Sequence, residues 1–172
     1  PPSLMHVIAG DFNNDGFSDL AVSPVGDYGG SWQIAVLLNQ GDGTFAAPLR
    51  YAADIFPDSL SAADVNGDGS LDLVVNCHRV SGSPDSLAVL INQGAGTFGA
   101  PTITAYPSGR GSRHITTPDI DNDGDADVVV TNGGYYSDPD SSISLFFNDG
   151  SGGFSAEVNY PVGEDAWTTA VA

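Results

Sequence analysis

The sequence contains no lysine, and its only strongly basic side chains are those of Arg50, Arg79, Arg110 and Arg113. Against these four stand 22 aspartates and glutamates, so the formal net charge is -18 at pH 7. Nucleic acids and anionic membrane surfaces are bound by basic surfaces. This charge balance therefore excludes DNA, RNA and anionic membranes as expected partners.

Cysteine is nearly absent as well, since Cys77 is the only one. One cysteine excludes an internal disulfide and a cysteine-based zinc site. No hydrophobic run reaches the roughly 18 residues of a membrane-spanning helix, so we expect no membrane insertion. The sequence begins at Pro1 without a signal peptide or an initiator methionine, which favours a processed product or an excised piece.

What the sequence does contain is an internal repeat. The segments DFNNDGFSDLAV, DVNGDGSLDLVV and DIDNDGDADVVV begin at residues 11, 64 and 119, which are 53 and 55 residues apart. A second landmark, LNQGDGTFAAP, INQGAGTFGAP and FNDGSGGFSAE, begins at residues 38, 91 and 147, which are 53 and 56 residues apart. Two landmarks with one period indicate a repeat architecture.

Each repeat has the pattern of four short strands, rich in β-branched residues and separated by glycine and proline. In the second repeat the predicted strands are 60–65, 71–77, 86–92 and 98–106, with Pro101 suited to an edge strand. A sheet of this size cannot bury both of its faces alone, so it must stack on neighbours. We therefore predict an all-β fold of β-propeller blades.

The predicted organisation is blade 1 over about 4–54, blade 2 over about 58–107, blade 3 over about 113–162, and the first strand of a further blade at 166–172. Propellers close with about 4–8 blades, and three cannot form a ring. The chain is therefore expected to be a fragment of a larger propeller, or to self-associate so that two chains supply six blades.

The repeated acidic segment has the form Asp-x-Asn/Asp-x-Asp-Gly-x-x-Asp, which places oxygen donors at alternate positions of a tight loop. Hard oxygen donors, about six to eight per ion in a flexible loop, favour Ca²⁺. We predict three structural calcium sites. The candidate ligands, at positions 1, 3, 5, 7 and 9, are Asp11, Asn13, Asp15, Phe17 and Asp19; Asp64, Asn66, Asp68, Ser70 and Asp72; and Asp119, Asp121, Asp123, Asp125 and Asp127.

Two alternatives to this interpretation of the loops exist. A helix–loop–helix calcium site begins in the same way but needs a glutamate at position 12, where this sequence has Val22, Val75 and Val130. Aspartate-rich turns without metal are the other alternative. Because the third loop carries the most negative charge, we expect it to bind calcium most tightly.

The combination of DVNGDGSLDLVV with INQGAGTFGAP resembles the FG-GAP repeat, the blade of the integrin α-subunit propeller and of bacterial VCBS-type repeat proteins. The resemblance covers essentially the whole chain. It implies a propeller in which the calcium loop joins the first and second strands of each blade. It also implies an extracellular or periplasmic location, where calcium is about millimolar and weak sites are filled.

A ligand surface is expected at the blade ends opposite the calcium loops. Exposed aromatic and basic side chains there could stack on sugars or dock a protein; the alternative is that they are ordinary turn residues. The candidates are Trp32, Arg79, Tyr135, Tyr136, Arg113 and Trp167.

The sequence contains no nucleophile elbow, P-loop, HExxH or glycine-rich dinucleotide-binding loop. Cys77 and His78 are strand neighbours that point to opposite faces, so they are poorly placed as a nucleophile and its base. The expected function is a non-enzymatic, calcium-stabilised recognition or scaffold module with a protein or glycan ligand. The alternatives are a carbohydrate-binding, lectin-like propeller and the accessory part of a secreted polysaccharide-acting enzyme.

Overall fold

A computed structural model of the chain describes residues 6–25, 32–78, 84–107, 112–133 and 141–163. These ranges contain twelve strands and no helix. Consequently no helix within them is long and apolar enough to cross a membrane. The predicted first strand of a further blade, 166–172, lies outside the described residues.

The strands form three separate four-stranded antiparallel sheets, each built from consecutive strands in sequence order. The first sheet contains β1 (His6–Gly10), β2 (Asp19–Val25), β3 (Gln33–Leu37) and β4 (Leu49–Ala52). The second contains β5 (Pro57–Ala63), β6 (Asp72–Cys77), β7 (Asp85–Leu90) and β8 (Thr102–Tyr106). The third contains β9 (Ser112–Thr116), β10 (Val128–Asn132), β11 (Ser141–Phe146) and β12 (Val158–Gly163).

This is the predicted all-β architecture of propeller blades, and the three sheets do not close into a ring. The fourth strand of the second sheet is shorter than the sequence pattern suggested. Phe98 pairs with Asn92 only as an isolated bridge, and the regular strand begins after Pro101, which has no N–H to donate to a ladder. Equivalent bridges join Asn39 to Phe45 and Asn148 to Phe154.

Hydrophobic residues fill the two spaces between neighbouring sheets. The central strands β6 and β7 are buried along their whole length, because alternate side chains face the sheets on either side. Val75 and Leu90 belong to the core shared with the first sheet. Val74 and Val89 belong to the core shared with the third sheet. The second sheet therefore buries both of its faces by stacking, and the first and third sheets each bury the face that meets it.

The first strands of the three sheets lie side by side, and β5 contacts both β1 and β9. Polar groups join β5 to the third sheet. Ile115 N donates to Ser59 Oγ over 3.3 Å, and the hydroxyls of Ser61 and Thr117 are 2.9 Å apart. The arrangement resembles the inner strands of propeller blades around an axis.

Candidate metal loops and the opposite strand ends

The three acidic loops occupy equivalent places in the three sheets. They connect β1 to β2, β5 to β6, and β9 to β10, always the first strand to the second. We call them loop 1 (residues 11–19), loop 2 (64–72) and loop 3 (119–127). Because the sheets stack in the same orientation, all three loops lie at the same end of the strands.

The first aspartate and the sixth-position glycine close each loop. Gly16 N donates to Asp11 Oδ2 over 2.8 Å, and Gly69 N donates to Asp64 Oδ2 over 2.7 Å. Both glycines have positive φ, +89° and +86°, a conformation that strains residues with a Cβ. The chain therefore turns sharply at position 6 in both loops.

Positions 3 and 5 interact within loops 1 and 2. Asn66 Nδ2 donates to Asp68 Oδ2 over 2.9 Å, and Asp68 Oδ1 accepts from Ser70 N over 2.8 Å. These hydrogen bonds to Asn66 and Ser70 lower the pKa of Asp68. These bonds therefore favour the ionised form of the Asp68 carboxylate, the form that a cation needs.

Loop 3 brings its acids closest together, with carboxylate oxygens of Asp119, Asp121 and Asp127 all within 4.8 Å of one another. Local desolvation and the neighbouring Asp123 carboxylate raise the pKa of Asp121. Like charges this close repel, so the loop has the electrostatic character of a cation site. Here an aspartate stands at position 3, where loops 1 and 2 have Asn13 and Asn66.

The ninth-position aspartates are buried, whereas the residues at positions 1, 3, 5 and 7 of each loop are exposed or half-buried. Asp72 Oδ2 accepts from Val65 N over 3.1 Å, and Oδ1 accepts from Asn92 N over 2.7 Å. Asp19 and Asp127 make the same pair of bonds. Burial raises the pKa of Asp72. Each carboxylate thus anchors its loop to the sheet while keeping free lone pairs for a cation.

The oxygen donors of these loops fit a hard divalent cation. Each loop supplies carboxylates at positions 1, 5 and 9, an amide or carboxylate oxygen at position 3, and the main-chain carbonyl at position 7. No histidine or cysteine lies within any of the three loops, so the donor set fits Ca²⁺ better than a transition metal.

Comparison with known families agrees with this architecture. The family model of the FG-GAP-like repeat matches residues 11–75 and 79–130, which together are more than half of the chain. The chain belongs to the FG-GAP-like repeat family. Comparison with curated protein sequences gives no significant match.

Among solved structures, this FG-GAP-like chain is similar to part of the Photorhabdus luminescens Tc holotoxin pore. The sequence identity is 21% and the TM-score is 0.46. The match covers 91% of the present chain but only 7% of the toxin chain.

At the opposite strand ends of the FG-GAP-like sheets, Trp32 packs on Phe56, with ring centroids 4.5 Å apart and an interplanar angle of 44°. Phe56 has a φ of +47°, which is uncommon for a bulky side chain. Its neighbour Ile55 is exposed. Trp32, a predicted ligand residue, therefore belongs to an aromatic pair whose second member the sequence did not indicate. The candidates Arg79, Tyr135, Tyr136 and Trp167 lie outside the described residues.

A charged cluster lies at the same strand ends, between the second and third sheets. Asp85 is fully buried, accepts from Ser112 Oγ over 2.8 Å, and lies 3.4 Å from His78 Nδ1. Hydrogen bonding to Asp85 raises the pKa of His78, while burial raises the pKa of nearby Asp58. Arg113, a candidate ligand residue, lies near the start of β9, where its charge acts on both Asp58 and His78.

Proposed function

We propose that this FG-GAP-like chain is a calcium-stabilised recognition or scaffold module that works outside the cytoplasm and carries out no catalysis. The observation that carries the proposal is the recurrence of the acidic loop at one strand end of three stacked sheets. The convergence of three carboxylates within 4.8 Å in loop 3 adds to it. In this proposal calcium is structural, because it offsets the repulsion among carboxylates that the fold places together.

The ion in each loop would be held by the oxygens at positions 1, 3, 5, 7 and 9. Bound calcium supplies positive charge and restricts the loop. The chain contributes the ionised carboxylates, the turn at the sixth-position glycine and the buried ninth-position anchor. Loops held in this way leave the opposite strand ends free to carry a ligand surface on a rigid support.

Two features support the location and the absence of catalysis. The candidate ligands at positions 1, 3, 5 and 7 are exposed or half-buried, which fits sites of weak affinity, and such sites fill where calcium is about millimolar, as it is outside cells. Cys77 is buried, with its thiol against the Val75 carbonyl of its own strand, so it is poorly placed as a nucleophile.

The test is a thermal melt of the chain in excess EGTA and again after calcium is restored, with the mass measured by light scattering. Calcium is expected to raise the melting temperature by at least about 5 °C. A mass of two chains would support ring completion by self-association. An unchanged melting temperature on adding calcium to stripped protein would overturn the metal proposal, and the loops would then be plain turns.

A second candidate function, binding of carbohydrate, is favoured by the Trp32–Phe56 pair. Aromatic faces beside charged and hydrogen-bonding groups bind sugars by stacking, with polar contacts at the ring edge. The test compares binding of the chain and its Trp32→Ala variant to a glycan array. Phe12→Leu, a substitution of a buried core residue in loop 1, is the control for a general loss of stability. Equal binding by all three proteins, or none by any, would reject this candidate.

A further inference from the structure

Asn92 connects loop 2 to loop 1 of the neighbouring sheet. Its side-chain amide donates to Phe12 O in loop 1 over 2.8 Å and to Leu71 O in loop 2 over 3.0 Å. Its backbone N donates to Asp72 Oδ1 over 2.7 Å. Asn92 is buried, so water competes little for these bonds.

Asn148 repeats this geometry one sheet further on. Its side-chain amide donates to Val65 O in loop 2 over 2.9 Å and to Ala126 O in loop 3 over 3.1 Å. Its backbone N donates to Asp127 Oδ1 over 2.9 Å. The same connection thus occurs at both junctions between sheets, and we call Asn92 and Asn148 the relay asparagines.

The relay asparagines complete a series of contacts between the three ninth-position aspartates. Phe12, whose carbonyl accepts from Asn92, donates its own N–H to Asp19 over 2.9 Å. Val65, whose carbonyl accepts from Asn148, donates its own N–H to Asp72 over 3.1 Å. Consequently each proposed metal ligand at position 9 is joined to the next by one residue of a loop and one asparagine.

Asn39 is the equivalent residue of the first sheet and supplies an internal comparison. Its backbone N donates to Asp19 Oδ1 over 2.7 Å, and its side-chain amide donates to Ser18 O over 3.0 Å. Both acceptors belong to its own loop 1. Within the described ranges Asn39 makes no hydrogen bond to another loop. It therefore makes the same bonds to its own loop as the relay asparagines make to theirs, but it does not connect two sheets.

We propose that Asn92 and Asn148 are positioning residues that make calcium binding in neighbouring loops positively cooperative. The proposal rests on the proposed calcium function. An ion in loop 2 restricts Asp72, and with it Asn92, which then holds Phe12 and the Asp19 anchor of loop 1 in place. Loop 1 consequently loses less conformational freedom when it binds its own ion.

Through-space electrostatics alone predicts negative cooperativity between the two loops, so the sign of the measured effect distinguishes it from coupling through Asn92. Loop 2 has three acidic side chains, Asp64, Asp68 and Asp72, so its formal charge is -3 without Ca²⁺ and -1 with it. An empty loop 2 is therefore more negative, which alone would strengthen cation binding in loop 1. Coupling through Asn92 predicts instead that an empty loop 2 weakens cation binding in loop 1.

The experiment is a calcium titration of the whole chain followed by nuclear magnetic resonance of ¹⁵N-labelled protein. The backbone amides of Gly16, Gly69 and Gly124 donate to the first aspartates of loops 1, 2 and 3, so each reports on its own loop. The titration is repeated for Asn92→Ala and for the matched control Asn39→Ala.

In Asn92→Ala, the calcium midpoint read at Gly16 is expected to rise about threefold to tenfold, the size of one buried hydrogen bond. Asn39→Ala leaves Asn92 in place, so it is expected to change the midpoint at Gly16 and, because the coupling is reciprocal, to move that at Gly69 in the same direction by less. An unchanged Gly16 midpoint in Asn92→Ala would overturn the coupling while calcium binding stands. If none of the three amides responds to calcium in the unsubstituted chain, the proposed function fails, and the coupling with it.

Asp68→Asn provides a second test that leaves the relay asparagines intact. Asp68 is exposed, and its substitution weakens the metal site of loop 2 without removing a buried contact. At calcium concentrations that no longer fill loop 2, the Gly16 midpoint is expected to rise about threefold or more. A Gly16 midpoint that stays the same or falls would overturn the coupling, because a fall is the effect of charge alone.

Discussion

The imidazole rings of His6 and His114 meet edge to face, with centroids 5.6 Å apart and an interplanar angle of 81°. One ring belongs to β1 and the other to β9, so the contact joins the first sheet to the third. His6 Nδ1 accepts from Leu60 N of the intervening β5 over 3.2 Å, which places the proton of the neutral ring on Nε2. The inner strands of all three sheets therefore meet at this pair.

The histidine pair predicts a loss of stability in mild acid. Burial and the positive charge of His114 lower the pKa of His6, and burial lowers the pKa of His114. Between these lowered values and the ordinary pKa of about 6.5, the unfolded chain binds more protons than the folded one. The pair's contribution is thus present above about pH 6.5 and is lost as the pH falls through the folded-state values.

We expect His114→Asn to remove part of this pH dependence. The free energy of unfolding, measured with urea between about pH 7.5 and 5, should fall less steeply for the variant than for the unsubstituted chain. The slope with pH is the readout, since the substitution also changes packing by a constant amount. Parallel slopes for the two proteins would contradict the prediction.

The contribution of His78 to stability is predicted to have the opposite pH dependence. Because the interaction with Asp85 raises its pKa, its contribution is fully present below about pH 6.5 and is lost as the pH rises through the higher folded-state value. His78→Asn should therefore destabilise the chain more at about pH 6 than at about pH 9. Urea unfolding at the two pH values measures this, with His114→Asn as the control of opposite sign. An equal loss at both would show that the His78 charge contributes nothing.

The repeat, the strand pattern and the acidic loops could be predicted from sequence because each is a local pattern. The turn at Gly16, for example, depends on Asp11 only five positions earlier. The blade boundaries and the calcium ligands remain predictions. The relay through Asn92 could not be predicted, because its acceptor Phe12 is 80 residues away and meets it only once the sheets stack. Asn92 stands in the repeated NQG landmark, but the sequence does not show its partners.

Only one member of the Trp32–Phe56 pair could be predicted from the sequence, for a similar reason. Trp32 is predicted as a ligand residue because it is an aromatic residue between strands. Phe56, in contrast, precedes Pro57 in a segment with no repeated pattern. Phe56 has a left-handed backbone at the turn into β5, and its carbonyl oxygen accepts from His78 N over 2.9 Å. Such contacts depend on the register of β6 against β5 and have no local signature.

The aspartates at the ninth and fifth positions of a loop should contribute differently to stability when calcium is absent. Asp72→Asn leaves one carbonyl oxygen to serve the two buried N–H groups of Val65 and Asn92. It also turns an NH₂ toward one of them, which is expected to cost about 1–3 kcal/mol in EGTA. The matched variant Asp68→Asn changes an exposed side chain and should alter stability in EGTA much less. Urea unfolding in EGTA decides this, and equal losses for the two variants would contradict the anchoring role of Asp72.

With calcium restored, the same two variants should behave alike. Both remove a carboxylate from loop 2, so both are expected to gain less stability from calcium than the unsubstituted chain does. The difference between the unfolding free energies with calcium and with EGTA isolates this gain. A full gain in Asp68→Asn would exclude Asp68 as a ligand.

Substitution of Gly96 by a residue with a side chain is predicted to destabilise the contact between the first and second sheets. Its φ is +69°, and a Cβ built there would lie 2.6 Å from Leu38 Cδ2 of the first sheet. Gly96→Ala should therefore cost about 1–2 kcal/mol for the left-handed backbone and about 1–3 kcal/mol more for overpacking. In a Leu38→Ala background the second cost should vanish, because the clashing methyl group is absent. A double-mutant cycle by urea unfolding measures that difference. Additive effects of the two substitutions would mean that Leu38 moves aside freely and that the sheets are not tightly packed at this turn.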